Sequence, residues 1–153
     1  MEIELLKDFT KAVRESTIKR LIKVPEGYKH WKICKGSLSF AEIAKHLIDL
    51  DEWTLQKIKE PTLKAIETQT AIMDSCTREK FLQLIEDLKY TLEKKLKFLD
   101  SIDANDLEHK IYDDRFNNEV SLSWILLRGN LDHEIHHRGQ IAAYLRVLED
   151  GRK

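Results

Sequence analysis

In four stretches of this sequence apolar residues return every three or four positions, and no run alternates apolar with polar residues over strand length. That period puts apolar side chains on one face of a helix, so the pattern predicts an all-α, four-helix bundle with no sheet. Helix 1 is expected from Glu2 to about Ile22, with Leu5, Leu6, Phe9, Val13 and Leu21 inward, and Pro25 and Gly27 end it. Helix 2 opens on a capping box, Ser39 with Glu42, buries Phe40, Ile43, Ala44, Leu47, Leu50, Leu55 and Ile58, and stops before Pro61. Helix 3 starts near Thr77 and carries the stripe Phe81, Ile85, Leu88, Leu92, Leu96 and Leu99. Helix 4 runs from about Val120 to Leu148 with two apolar rows, one of them Trp124, Leu127, Leu131 and Leu145, and is expected to be the most buried.

The connections matter as much as the helices. Residues 59–76 read as a link long enough to return along a bundle, because extended chain covers up to about 3.5 Å per residue. Helices 2 and 3 can therefore run parallel. The segment before helix 2 has no period, and Tyr28 and Trp31 are expected to anchor it. Ser101 to Glu119 is polar and acidic and reads as a long loop. Gly129 and Gly139 each cost on the order of 1 kcal/mol inside a helix, which the close approach of a neighbouring helix would explain.

A chain of 153 residues suits one domain, residues 1–153, with a core of useful size. Its net charge of −1, with Lys and Arg scattered, argues against a surface that tracks phosphates, so no nucleic-acid partner is expected. No apolar run approaches the length of a membrane span and the N-terminal residues form no secretory segment, so no membrane partner is expected either. Cys34 and Cys76 have no paired spacing and read as free thiols of a cytoplasmic protein.

Chemistry concentrates in Asn130–Tyr144, NLDHEIHHRGQIAAY, which holds three of the six histidines. On a helix His133 and His137 lie within roughly 40° of each other, one turn apart, in a row with Leu126, Asn130, Ile141, Tyr144 and Leu148. Such a pair is well spaced to grip one divalent ion, given a partner from elsewhere in the fold. His46, beside the apolar face of helix 2, has a matching setting. His136 sits on a flank, as a group supporting a ligand or a surface residue, and His30 and His109 fall in loops. His133-Glu134-Ile135-His136-His137 also matches H-E-x-x-H, in which two histidines hold zinc and the glutamate is the base. Only sixteen residues follow His137, too few for a third ligand on a later helix, and the G-x-x-H extension is missing. The match reads as coincidental, with Glu134 on the helix surface.

His133-x-x-x-His137-Arg138-Gly139-Gln140 on the last helix resembles the signature of the DinB-like (DinB/YfiT) family. Ser39-x-x-Glu42-x-x-x-His46, and the preceding loop with Trp31, are similar to its other markers. The resemblance spans nearly the whole chain. It implies a four-helix bundle with a long crossover between helices 2 and 3, and one divalent ion held by His46, His133 and His137. Zinc or nickel comes first for such ligands, then iron, cobalt or manganese. Three neutral imidazoles leave an open coordination position, which fits catalysis better than a closed structural site. The resemblance thus implies a metal-dependent enzyme on a small molecule, transferring a low-molecular-weight thiol or else hydrolysing, in a homodimer. The alternative is a metalloprotein whose ion is structural or sensory. Asn130, His136, Gln140 and Tyr144 are candidates to orient ligands or face substrate, and Asp51 and Glu52 are possible acceptors for an imidazole N–H.

Overall fold

The structure, a computed structural model, describes residues 2–65, 73 and 75–151. Helix α1 spans Ile3–Leu21, α2 Phe40–Lys59 and α3 Arg78–Asp100. The last helical rod is α4 (Leu122–Trp124), a π-helical segment (Ile125–Leu131) and α5 (Asp132–Gly151) in unbroken succession. The capping box of α2 is present in full: Ser39 accepts from the Glu42 amide and Glu42 accepts from the Ser39 amide. Thr77 caps α3 through the Lys80 amide.

The bundle consists of two parallel pairs. The Lys29 carbonyl binds the Ala41 amide at the start of α2, and its ammonium lies 5.6 Å from the centre of the Phe81 ring at the start of α3. Further along, Asp51 meets Thr91 and Glu52 meets Lys94, so α2 and α3 run the same way. The connection between them is therefore a crossover along the bundle; part of it (66–72 and 74) lies outside the described residues. Asp51 and Thr54 meet Asn130 while Phe40 meets Tyr144, so α2 and the last rod are antiparallel. Trp31 lies against both Phe40 and Tyr144, closing one end of the core as its aromatic character suggested.

Between two apolar clusters the bundle has a polar waist. One cluster gathers Leu21, Phe40, Ile43, Leu47, Leu88 and Ile141 among others; the second holds Leu6, Leu99, Leu107, Leu122 and Leu126. Between them Arg14, Asp51, Thr54, Thr91, Lys95, Asn130 and Glu134 are all buried. The expected stripes are correct toward the first cluster and fail at the waist. Leu50, Leu55, Ile58, Leu92 and Leu96 are only half-buried, and Asp51, Thr54, Thr91 and Lys95 take the inward positions. Leu5 and Phe9 of α1, expected inside, are exposed, as is Trp124. Buried polar groups are tolerable only if every one is bonded, and every buried side-chain polar atom among the described residues has a partner.

The expected loop 101–119 is not all loop. A 3-10 turn (Asp106–Glu108) precedes an antiparallel hairpin, β1 (Lys110–Asp113) with β2 (Asn118–Ser121), pairing Ile111 with Val120. Its tip lies on the bundle: Asp114 accepts the Ala65 amide, and Arg115 reaches Gly129 in the π segment. Among the described residues no helix is long and apolar enough to cross a membrane, and both cysteines are free.

Candidate metal centre

His46 stands two turns inside α2, where the capping box fixes the start of the helix and hence the direction of this residue. The π segment sets the other half. The Asp132 amide donates to the Leu127 carbonyl, five residues back rather than four, and α-helical register resumes there, one residue before His133. The buried row on the rod is then Leu126, Asn130, Glu134, His137, Ile141, Tyr144 and Leu148. His133 is half-buried on the flank of that row, and Glu134 takes the inward place that the sequence reading gave to His133.

The three imidazoles meet. His133 Nε2 lies 2.7 Å from His46 Nε2 and 3.1 Å from His137 Nε2, and the ring centres are 4.8 to 5.0 Å apart. His137 Nδ1 donates to Gln140 Oε1 at 2.9 Å, and the Gln140 amide nitrogen donates to the Tyr144 hydroxyl at 2.7 Å. That chain assigns the proton of His137 to Nδ1 and leaves its Nε2 lone pair facing the cluster. One proton on His133 Nε2 can point fully at only one of its two nitrogen neighbours; the other contact is left with a shared proton, or sets lone pair against lone pair or proton against proton. A cation among the three accepts all the lone pairs at once. Nitrogens sharing tetrahedral zinc stand about 3.3 Å apart, so small ring adjustments would seat an ion. The donor set fits a divalent metal.

Electrostatics favour the ligand form. Burial first, then the neighbouring His137 and His46, lowers His133 to about 4. Burial lowers His137 to about 4 despite its bond to Gln140, and burial also lowers His46. The imidazoles are thus neutral at pH 7, as a metal requires. Arg115 adds to the depression of His133. Its guanidinium lies 4.2 Å over Trp53, donates to both oxygens of the Asp113 carboxylate, and donates to the Gly129 carbonyl. No sequence signal pointed to Arg115, because the hairpin was not expected.

The other candidates divide. Gln140 and Tyr144 belong to the histidine network. His136 is exposed, its ring 5.0 Å from that of His137, and the potential ligand group among the described residues comprises His46, His133 and His137 alone. Asn130 bonds into the waist instead: it donates to Asp51 and Thr54 and accepts from Lys95. Asp51 accepts from Arg14, Thr91, Lys95 and Asn130, and exposed Glu52 pairs with Lys94, so neither supports an imidazole. Glu134 is 1% exposed and ion-paired with Arg14. The expectation of a surface residue is wrong, because its partner lies 120 positions away and has no local signature. The carboxylate of the H-E-x-x-H stretch points into the waist, where Arg14 engages both of its oxygens.

Residues 3–150 match the DinB family. The chain belongs to that family. Among solved structures it is similar to a DinB-like protein from Bacillus subtilis (YjoA), with a TM-score of 0.69 and 22% identity over 95% of this chain and 92% of that one. This DinB fold places the crossover, the Trp31 segment and the histidine-bearing helices in one arrangement. No curated protein matches the chain.

Proposed function

We propose that this DinB protein holds one divalent ion on His46, His133 and His137 and uses its open side on a small molecule. The convergence of three Nε2 atoms, with one His133 proton unable to point fully at both neighbours, carries this reading. Zinc or nickel is the expected ion, then iron, cobalt or manganese, since imidazole suits all of them and availability selects. When bound, such an ion brings the pKa of water to about 7 or holds a thiol as thiolate. The residues of the chain do the rest. Burial keeps the three rings neutral, Gln140 fixes the tautomer and orientation of His137, and Tyr144, wedged between Trp31 and Phe40, fixes Gln140.

Transfer of a low-molecular-weight thiol stands ahead of hydrolysis. Thiolate formation needs only the ion, whereas hydrolysis gains from a nearby carboxylate base, and Glu134 is engaged with Arg14. The same observation supports a second reading, in which the ion is structural or sensory and nothing turns over. A homodimer is consistent with the exposed Leu5 and Phe9 on α1, and a cytoplasmic location with the exposed thiol of Cys34.

The deciding experiment is metal content by mass spectrometry on untagged protein, wild type against His133→Ala. Near one equivalent, lost in the variant, sustains the centre and justifies assays of thiol transfer and hydrolysis with that metal. A folded wild type that also refuses added zinc and nickel defeats it.

A further inference from the structure

Arg14 is completely buried, and all five of its N–H groups are used. Nε donates to Glu134 Oε1 at 2.7 Å, and Nη2 donates to Glu134 Oε2 and Asp51 Oδ2, each at 2.8 Å. Nη1 donates to the Leu88 carbonyl at 2.7 Å and the Thr91 hydroxyl at 3.0 Å. A single guanidinium from α1 therefore bonds to α2, α3 and α5. Two of those helices carry the histidines.

From this we infer that Arg14 is a positioning residue of the metal centre, setting α2 against α5 so that His46 meets His133 and His137. The inference rests on the metal reading proposed above. Asp51 lies five residues beyond His46, and Glu134 is the residue after His133. At about 100° per residue, pinning Glu134 toward the bundle axis puts His133 about 100° and His137 about 60° round on the same flank, toward α2. The glutamate of H-E-x-x-H thus aims the two histidines rather than acting on a substrate.

Two observations separate this from a role in stability alone. Buried ion pairs are often no more stabilising than apolar packing, and the waist lies between two apolar clusters that could have continued through it. What apolar packing cannot supply is direction. The planar fork fixes the angles of its acceptors, which a lysine ammonium does not. The layer is also self-neutral, Arg14 and Lys95 against Asp51 and Glu134, so it can aim the ligands without placing net charge beside the ion.

The test is cobalt(II) titration of the metal-free full chain, read by visible absorption, for wild type, Glu134→Gln, Arg14→Lys and the control Leu99→Ala. Circular dichroism and thermal melting establish that each is folded. Leu99 is buried in the far apolar cluster, so its variant reports loss of stability without loss of aim. The expected result is a changed band pattern and binding weakened about 10–100-fold in Glu134→Gln and Arg14→Lys, as for supporting residues elsewhere, with Leu99→Ala binding as wild type. If Arg14→Lys does not fold, Glu134→Gln decides, since it keeps the side-chain shape. A folded Glu134→Gln with the wild-type spectrum and affinity overturns the inference. A wild type that takes up no cobalt defeats the metal reading instead. The positioning claim is then read from imidazole nitrogen resonances of the metal-free chains. Altered His46 and His133 signals in Glu134→Gln support it, and unchanged ones overturn it.

Discussion

The guanidinium of Arg115 fills the space a β-carbon on Gly129 would need: that carbon would sit 2.6 Å from Nη2. Arg115 cannot easily withdraw, being bound to Asp113 and stacked on Trp53. The glycine therefore serves an arginine from the hairpin, not the neighbouring helix that the sequence suggested. Gly129→Ala is expected to cost about 1–2 kcal/mol, overpacking outweighing the gain in helix propensity. In an Arg115→Ala background the same substitution should become neutral or stabilising. Urea denaturation of the four proteins in a double-mutant cycle checks the reversal.

Gly139 behaves oppositely. It is exposed, and a β-carbon there meets nothing within 4 Å, so close packing does not explain it. Gly139→Ala should raise stability by about 0.5–1 kcal/mol, measurable in the same denaturation experiment.

The histidine centre predicts a pH dependence. His133 and His137 titrate at about 4 in the folded chain, whereas exposed histidine titrates near 6.5. Between these values the unfolded chain binds protons that the folded chain refuses, so stability is lost as pH falls through this window. Metal-free protein should hold its urea midpoint above about pH 7 and lose it progressively from about 6.5 toward 4. Replacing both histidines by Gln should flatten that slope. The depressed carboxyls of Asp51 and Asp113 act separately and at lower pH: burial raises them, but the bonded cations Lys95 and Arg14, and Arg115, more than offset it.

Gln140 holds the Nδ1 proton of His137, so Gln140→Leu should free the tautomer and weaken metal binding about 10–100-fold. Competition with a chelator measures the affinity. Thermal stability of the metal-free form should change far less, because Gln140 is only partly buried.

Breaking the waist should be severe. Arg14→Ala leaves Glu134 as a buried carboxylate without its main cation and removes one of the two cations paired with Asp51, and should cost about 3–5 kcal/mol. Chemical denaturation of the metal-free chain is the check.

Much of this molecule was legible in its sequence, and what was not follows a rule. The start of α2 could be read because Ser39 and Glu42 are three residues apart and complete each other. The histidines could be read because i and i+4 share a helical face. Helix periodicity failed where partners are remote or the backbone departs from α geometry. Arg14 gives no local sign of the carboxylate it meets 120 positions later, and Ile125–Leu131 carries nothing that announces a π turn. The hairpin gives little sequence signal because its strands are four residues each and largely polar, with Ile111 the one deeply buried apolar residue and Arg115 and Asp114 fastening the tip.

His46 and His133 are 87 positions apart, and their meeting has a consequence for how the protein would acquire the proposed ion. A metal on these ligands would tie off a loop embracing two helices, the crossover and the hairpin, and each tenfold rise in free ion would add about 1.4 kcal/mol against unfolding. During synthesis His46 emerges alone, with no more claim on an ion than any surface imidazole, until the last helix has formed and docked. Loading would therefore be a late event, and it would double as proof that both ends of the bundle have found each other.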